Sequence, residues 1–171
     1  MTIYTSKFPS TLPKVPSQIK DAIVDPIYRI LNAVDTSNPA LFASAIHPAG
    51  RIDLNGRVFE GVDAITANVY DWIANLETMH HPSGIRVTKY DEANGTASLT
   101  ATVIAQHYRR GKGVDSSARG LLAGAFYFVD VVREEGDSEQ WRAKDWTLNT
   151  VWREGDMTVM TGEEKDGAKD E

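Results

Sequence analysis

Four long segments rich in β-branched and aromatic residues fill most of the second half of the chain and constrain its fold most strongly. They read "GIRVTKY", "TASLTATVIAQHYRR", "GLLAGAFYFVDVVRE" and "QWRAKDWTLNTVWRE", and turn-forming residues separate them. Helical periodicity is confined to the residues before them. This order predicts an α+β fold: a curved antiparallel sheet wraps around three N-terminal helices and leaves a cone-shaped cavity at one end. Such cavities are common ligand sites.

The first half of the chain predicts the three helices and one hairpin. Ser17 can cap a first helix whose apolar residues recur at three- and four-residue spacing. Pro26 either kinks this helix or begins a new one. A short second helix follows, a hairpin turns at Asn55-Gly56, and Asp63 caps the third helix.

The chain is predicted to form one domain with two extensions. Residues 1–16 are dotted with prolines and predict an extended arm, residues 17–155 predict the domain, and residues 156–171 predict an acidic flexible tail. Three apolar residues give the tail a way to fold back onto the domain: Met157, Val159 and Met160.

Composition excludes several classes of function. The net charge of −6 argues against a nucleic acid partner. No apolar run approaches the roughly 20 residues that span a bilayer, and the N-terminus lacks the apolar core of a secretory signal. The chain has no cysteine, so it has neither disulfides nor a thiolate nucleophile. We expect a cytoplasmic protein that does not act on membranes.

Two adjacent histidines in "ETMHHPSG" and a third in "VIAQHYRR" are the residues best suited to proton chemistry. Strand alternation places His107 on the apolar, inward-facing row of its strand. A three-residue turn at 93–95 would set His81 opposite His107. A bulge at residues 82–84 would bring His80 inward instead. One member of the pair is therefore expected to face His107, and the pattern leaves both open.

Imidazoles that meet on an apolar face can move protons. Burial disfavours the imidazolium, and one imidazolium disfavours a second beside it, so at least one ring is expected to be neutral near pH 7. Positioned acid–base groups of this kind contribute about 10²–10⁴ in rate. The histidines lack HxH or HxxxH spacing, and neither a phosphate-binding loop nor a dinucleotide motif occurs. We expect no metal and no cofactor.

The segments that carry these histidines resemble the SnoaL-like branch of the nuclear-transport-factor-like fold. "TMHH" before one strand and "AQHYRR" at the end of the next carry the resemblance, which extends over about residues 20–155. That branch includes polyketide cyclases, terpenoid isomerases and scytalone dehydratase, and its members often form homodimers or homotrimers. The resemblance implies that His80 and His107 act in proton transfer, and it favours His80 over His81.

The resemblance also implies roles for residues of the first helix and hairpin. The pocket aspartate of the dehydratases falls on Asn32, which we expect to position polar atoms of the substrate. A second aspartate of that turn is kept as Asp35, a substrate-binding candidate. Two water-binding tyrosines of the dehydratases fall on Leu31 and Leu54, and Leu54 is also a substrate-binding candidate. The carboxylate that orients the histidine and the phenols that hold water are therefore expected to be missing.

Further substrate-binding candidates lie on the sheet and on the first helix. On the last strand, either the row of Asp145 or the row of Trp146 faces the cavity, and an inward Asp145 could orient a histidine. Phe126 on the preceding strand is a candidate for substrate contact. Tyr28 and Tyr127 are possible phenol donors, although packing in the core is the favoured interpretation of each.

These patterns together predict a cofactor-independent, proton-shuttling enzyme. The reaction would be an isomerisation, cyclisation or dehydration of an apolar, oxygenated small molecule such as a polyketide or terpenoid intermediate. The alternative is a non-catalytic module of the same fold that binds small molecules or proteins. The pattern leaves open whether the polar loop at 111–120 or the C-terminal tail closes the cavity, or whether the loop is only a flexible turn.

Overall fold

The fold consists of one six-stranded sheet and a small set of helices, seen in a computed structural model that describes residues 7–134, 136 and 140–162. The strands are β1 (Ile46–Leu54), β2 (Arg57–Glu60), β3 (Leu76–Asp91), β4 (Thr96–Arg109), β5 (Leu121–Arg133) and β6 (Trp141–Gly155). The helices are α1 (Ser17–Asp35), α2 (Pro39–Ala45), α3 (Val62–Ile65), α4 (Asp71–Ala74) and α5 (Thr158–Thr161). A π-helical turn at Thr66–Tyr70 joins α3 to α4.

The sheet has the order β2-β1-β6-β5-β4-β3 and confirms the predicted α+β class. Strands β3 to β6 form the expected antiparallel meander, and β1 and β2 form a hairpin. The sheet is nevertheless mixed, because β1 runs parallel to β6. After β2 the chain crosses through α3 and α4 to the far edge of the sheet, so that β6 returns beside β1 in the same direction.

Helix α1 is continuous through Pro26, so Pro26 does not begin a new helix. The predicted cap at Ser17 is wrong, since Pro16 precedes the first turn and contributes no side-chain hydrogen bond. The predicted cap at Asp63 is also wrong. Gly61 leads into α3 with a φ of 80°, a conformation that glycine adopts at little cost, and Asp63 lies within the first turn.

The β1–β2 hairpin turns at Asn55-Gly56 as predicted. Asn55 has a φ of 55° and Gly56 a φ of 91°, so both central residues are in the left-handed region that this kind of two-residue turn requires. Leu54 pairs with Arg57 across the turn. The hairpin therefore has a fixed register, which decides the side of the sheet on which each of its side chains lies.

The N-terminal arm lies on the face of the sheet opposite the helices. Phe8 packs edge-to-face on Phe126 and Phe128, with ring centroids 5.3 and 5.4 Å apart. The guanidinium of Arg86 donates to the carbonyl of Pro9 over 3.0 Å. Residues 1–6 of the predicted arm lie outside the described residues.

The beginning of the predicted flexible tail is folded. Val159 of α5 is 2% exposed, and the indole N–H of Trp72 donates to the carbonyl of Met160 over 3.1 Å. The carboxylate of Asp156 accepts hydrogen bonds from the backbone N–H and the hydroxyl of Thr158 at 2.9 and 2.6 Å. Apolar burial and this local cap hold α5 on the domain. Residues 163–171 lie outside the described residues.

Apolar side chains of the helices and of one face of the sheet form a single core. Ile23 and Ile27 of α1, Phe42 of α2 and Ile65 of α3 are at most 1% exposed. In the described part of the chain, no helix combines the length and apolar character needed to cross a membrane.

Gly155, where β6 passes into α5, is expected to tolerate no side chain. Its φ is 103°, and a Cβ would lie 2.2 Å from the carbonyl oxygen of Gly120, which also accepts the N–H of Asp156. We expect Gly155→Ala to lower the free energy of unfolding by at least about 2 kcal/mol. Gly111→Ala is the matched control, because Gly111 also has a positive φ but has open space around it. Urea unfolding of both variants measures the difference, and equal losses would contradict the clash.

Candidate active site

The register of β3 on β4 decides which histidine faces His107. Thr78 pairs with His107, and His80 pairs with Ala105, so the expected pairing of His81 with His107 is wrong. A four-residue turn replaces the expected three-residue one, and β3 carries an extra residue at two places, after Ser83 and after Val87. Each of these three differences shifts the pairing of β3 on β4 by one residue from the predicted register. A total shift of three residues is odd, so the inward and outward faces of β3 are exchanged.

Asp35, at the end of α1, accepts two hydrogen bonds from His80 and a third from Thr78. The imidazole Nδ1 lies 2.6 Å from Oδ1 of Asp35, and the backbone N–H of His80 donates to Oδ2 over 2.9 Å. The hydroxyl of Thr78 donates to Oδ1 over 2.6 Å. Because the carboxylate is the acceptor, Nδ1 carries a proton and Nε2 of a neutral His80 is free to accept one. The side chains of His80 and Asp35 are 8% and 10% exposed.

Asp35 is ionised in this setting. Burial raises the pKa of its carboxyl group, but the hydrogen bonds and positive charge of His80 and the hydroxyl of Thr78 outweigh burial and lower the pKa below its ordinary value. A carboxylate does orient the histidine, so the predicted loss of this group was wrong. Asp35 was also predicted to contact substrate, yet it lies behind His80 and does not line the cavity.

His107 is a buried, neutral imidazole beside His80. The two rings meet edge to face, with centroids 5.5 Å apart and planes at 87°. Burial and the neighbouring His80 lower the pKa of His107 from 6.5 to about 4. Its Nδ1 lies 3.3 Å from the carbonyl oxygen of Leu121, which can only accept, so Nδ1 carries the proton. Neutral His107 therefore offers Nε2 as an acceptor.

A cavity of about 650 Å³ lies between the helices and the sheet, within the range of about 300–1,000 Å³ usual for small-molecule sites. His80, His107 and Tyr127 line it together with mostly apolar side chains. Leu54 and Trp146, two predicted substrate-binding residues, are also in its lining. Met157 and Met160 around α5 form part of the wall, so the segment predicted as a tail helps enclose the cavity.

Tyr127 is the functional candidate that the sequence patterns undervalued. It is 3% exposed, and its ring packs against Trp146 with centroids 5.0 Å apart. No hydrogen bond from its hydroxyl to another described residue is seen, although packing with a satisfied hydroxyl was the favoured interpretation, and Tyr127 lines the cavity. Burial and the charge of Asp35 raise its pKa, so the phenol stays protonated. Its even spacing from Ala123 and Ala125 on β5 was the available signal.

Two predicted residues on α1 face away from the cavity. Asn32 is exposed, because it lies off the α1 face that Ile27, Leu31 and Val34 bury. Tyr28 is 45% exposed and does not line the cavity either. The predictions that these two side chains meet the substrate are therefore wrong.

Two predicted residues on the sheet also lie on its outer face. Phe126 alternates with the inward Tyr127 and packs under the N-terminal arm. Asp145 lies 3.4 Å from the guanidinium of Arg51 outside the cavity. An extra residue in β6 at Lys144 exchanges the faces of the strand there and turns Trp146 inward.

The loop at 111–120 does not line the cavity, so it is not the predicted lid. The backbone N–H groups of Gly111 and Gly113 donate to the carboxylate of Glu77 over 2.9 and 2.5 Å. These bonds lower the pKa of Glu77 and tie the loop to the start of β3. Of the two predicted closing elements, the C-terminal segment reaches the cavity and the loop does not.

Comparison with known proteins identifies the family. The sequence matches the SnoaL-like domain over residues 17–147. The chain belongs to the SnoaL-like family, as the resemblance implied. It is 41% identical over 141 residues to terrestric acid biosynthesis cluster protein E of Penicillium crustosum. The aligned region covers 82% of this chain and 88% of that protein.

Solved structures show the same fold. A candidate aromatic ring hydroxylase from Novosphingobium aromaticivorans is similar with a TM-score of 0.71 and 23% identity, over 86% of this chain and 99% of that one. A candidate scytalone dehydratase from the same organism has a TM-score of 0.64 and 22% identity, over 78% and 84% of the two chains. At these identities the likeness shows the fold alone.

Burial of neutral His107 is expected to make the domain less stable in acid. Its folded pKa of about 4 lies below the ordinary value of 6.5, so the unfolded chain binds the proton more readily. Stability should therefore fall by about 3 kcal/mol as the pH drops from 6.5 to 4. Urea unfolding of the wild type and of His107→Gln at pH 7, 5 and 4 measures this as the difference between the two proteins. A difference that does not change with pH would contradict a neutral His107.

Proposed function

We propose that this protein is a cofactor-independent enzyme that transfers protons on an apolar, oxygenated small molecule and isomerises, cyclises or dehydrates it. The observation that carries the proposal is the contact between Asp35 and His80 at the wall of a largely apolar cavity. His107 and Tyr127 add an acceptor and a donor to the same wall. Family membership supports this class of reaction, and the 41% identical relative supports a role in secondary metabolism.

In the proposed first step His80 is the base. Its Nε2 takes a proton from a carbon next to a carbonyl group, and the electron pair of that C–H bond forms a carbon–carbon double bond while the carbonyl oxygen becomes an enolate. Asp35 stabilises the imidazolium that forms, as the carboxylate does in hydrolase triads. Asp35 does not touch the substrate, so it acts as a positioning residue.

Tyr127 is proposed to stabilise the enolate oxygen. A protonated phenol in a cavity without competing protein partners can donate a hydrogen bond to the oxygen on which negative charge develops. Its raised pKa keeps the proton on the phenol, so Tyr127 acts as a hydrogen-bond donor and not as a second base. The apolar walls strengthen this interaction because they exclude water.

His107 is proposed to accept a hydrogen bond from a hydroxyl group of the substrate through Nε2. The fate of the enolate then defines the reaction. Return of the proton from His80 to a different carbon is an isomerisation. Attack of the enolate carbon on a second carbonyl breaks its C=O π bond, and the oxygen takes the proton from His80, which is a cyclisation. Transfer of the proton to a hydroxyl at the neighbouring carbon breaks its C–O bond, and water leaves. Homodimer or homotrimer formation and a cytoplasmic location stay predictions.

The proton-transfer step can be tested on a simple enolisable ketone. With 2-tetralone in D₂O, we expect the wild type to accelerate exchange of the hydrogens next to the carbonyl. His80→Ala, His107→Ala and Asp35→Asn should each lower the enzymatic exchange rate by at least about tenfold, because each removes the base, its neighbour or its orienting carboxylate. Proton NMR measures the rate.

His81→Ala is the matched control for His80→Ala. His81 is the adjacent residue on the outer face of β3, so its removal should leave exchange unchanged. Equal losses in the two variants, or a rate in the wild type no higher than in buffer, would count against the proposal. Saturable binding of the ketone without exchange would favour the non-catalytic alternative.

Tyr127→Phe tests the donor alone. The substitution removes only the hydroxyl and keeps the buried ring, so the fold should be retained. We expect kcat for 2-tetralone exchange to fall by about 100-fold with little change in KM, since the bond strengthens as charge develops on oxygen. An unchanged kcat would show that the phenol serves packing.

A further inference from the structure

The charged side chains that line the cavity are of one sign. Among the described residues of its lining, Arg57 and Arg153 carry positive charge, and neither aspartate nor glutamate occurs. This contrasts with the net charge of −6 for the whole chain. A local positive rim on an acidic protein therefore marks a place where negative charge is favoured.

The hairpin places Arg57 on the cavity side and its acidic neighbours on the other. Arg57 pairs with Leu54, which lines the cavity, and paired residues of an antiparallel ladder share one face. Asp53 and Glu60 lie on the opposite face, where both are near Arg51. Arg57 rests over the ring of Phe59 at 5.7 Å and makes no ion pair in the described part of the chain.

A bulge in β6 brings Arg153 to the same rim. Thr150 pairs with Ala125 and Trp152 with Gly124, so Val151 is an extra residue. Without it Trp152 would face the cavity, whereas with it Arg153 does. The only hydrogen bond of its guanidinium within the described residues goes to the hydroxyl of Thr150 over 3.3 Å.

Asn55 and Thr150 join the two arginines into one site. The side-chain amide of Asn55 donates to the hydroxyl of Thr150 over 3.1 Å and accepts the N–H of Thr150 over 2.7 Å. The hairpin tip that carries Arg57 is thus fixed to the segment of β6 that carries Arg153. All four side chains line the cavity, which gives one polar end to an otherwise apolar space.

We propose that Arg57 and Arg153 bind a carboxylate on the substrate and hold its apolar body toward His80. Guanidinium groups recognise carboxylates through paired, charge-assisted hydrogen bonds. His80 and Arg153 lie on one row across the sheet, through Ala105 and Ala123, so three strand spacings or roughly 14 Å separate their backbones. The substrate class is therefore an acid with an enolisable carbon at the far end. This inference rests on the proposed function, since it assigns one end of the same cavity.

Binding of a matched acid and amide tests the site. The probes are 2-naphthaleneacetic acid and 2-naphthaleneacetamide, which have the same shape and differ in charge, and calorimetry gives both Kd values. We expect the wild type to bind the acid at least about tenfold more tightly, and added salt to reduce this preference. In the double variant Arg57→Gln/Arg153→Gln the preference should disappear while binding of the amide changes little.

The control Lys89→Gln/Arg119→Gln removes the same charge from exposed positions outside the cavity, and it should keep the preference. Equal affinity for acid and amide in the wild type would overturn the proposal, as would a preference that survives in the double variant. Binding of neither probe up to its solubility limit would overturn it too. The preference for the acid should persist in His80→Ala, because the site does not depend on the base. A wild type that prefers the acid but does not accelerate hydrogen exchange would refute the proposed function and keep this site.

Discussion

The carboxylate of Asp35 is the group on which the arrangement of the site depends. It joins the C-terminal end of α1 to the edge strand β3 through Thr78 and through both the backbone and the ring of His80. One buried anion with three donors is far less costly than an unpaired one, and removal of any donor would leave it under-satisfied. The same contacts fix the ring orientation and tautomer of His80. Structural and chemical roles therefore reside in a single set of bonds.

Burial divides the remaining polar groups into distinct roles. His107, without a carboxylate of its own, has a lowered pKa and is a neutral acceptor, whereas His80 has the carboxylate that supports an imidazolium. Tyr127 is buried near the same anion and stays a donor. His80, His107 and Tyr127 are all buried in one cavity, yet they serve as base, acceptor and donor. Their roles differ because the charges around each side chain differ.

The sequence predicted the fold and the histidine pair more reliably than the other site residues. Periodicity and turn chemistry were enough for the α+β class and for the hairpin at Asn55-Gly56, since both are local signals. The resemblance to the SnoaL-like family favoured His80 as the inward-facing histidine, whereas strict alternation along the strand favoured His81. It failed at Asn32, because a shift of a few positions along a helix moves the orienting carboxylate to Asp35 and turns the other residue to solvent.

The errors on the sheet have one physical source. Alternation holds only between irregularities, and the irregularities of this sheet include extra residues in β3 near Gly84 and in β6 at Lys144 and Val151. Each extra residue exchanges the rows of side chains, and near these three sites the cavity receives His80, Trp146 and Arg153. A bulge depends on pairing with a neighbouring strand, so a single segment carries little sign of it beyond an occasional glycine. The chemical character of this cavity is therefore determined by the places where its strands depart from regular pairing.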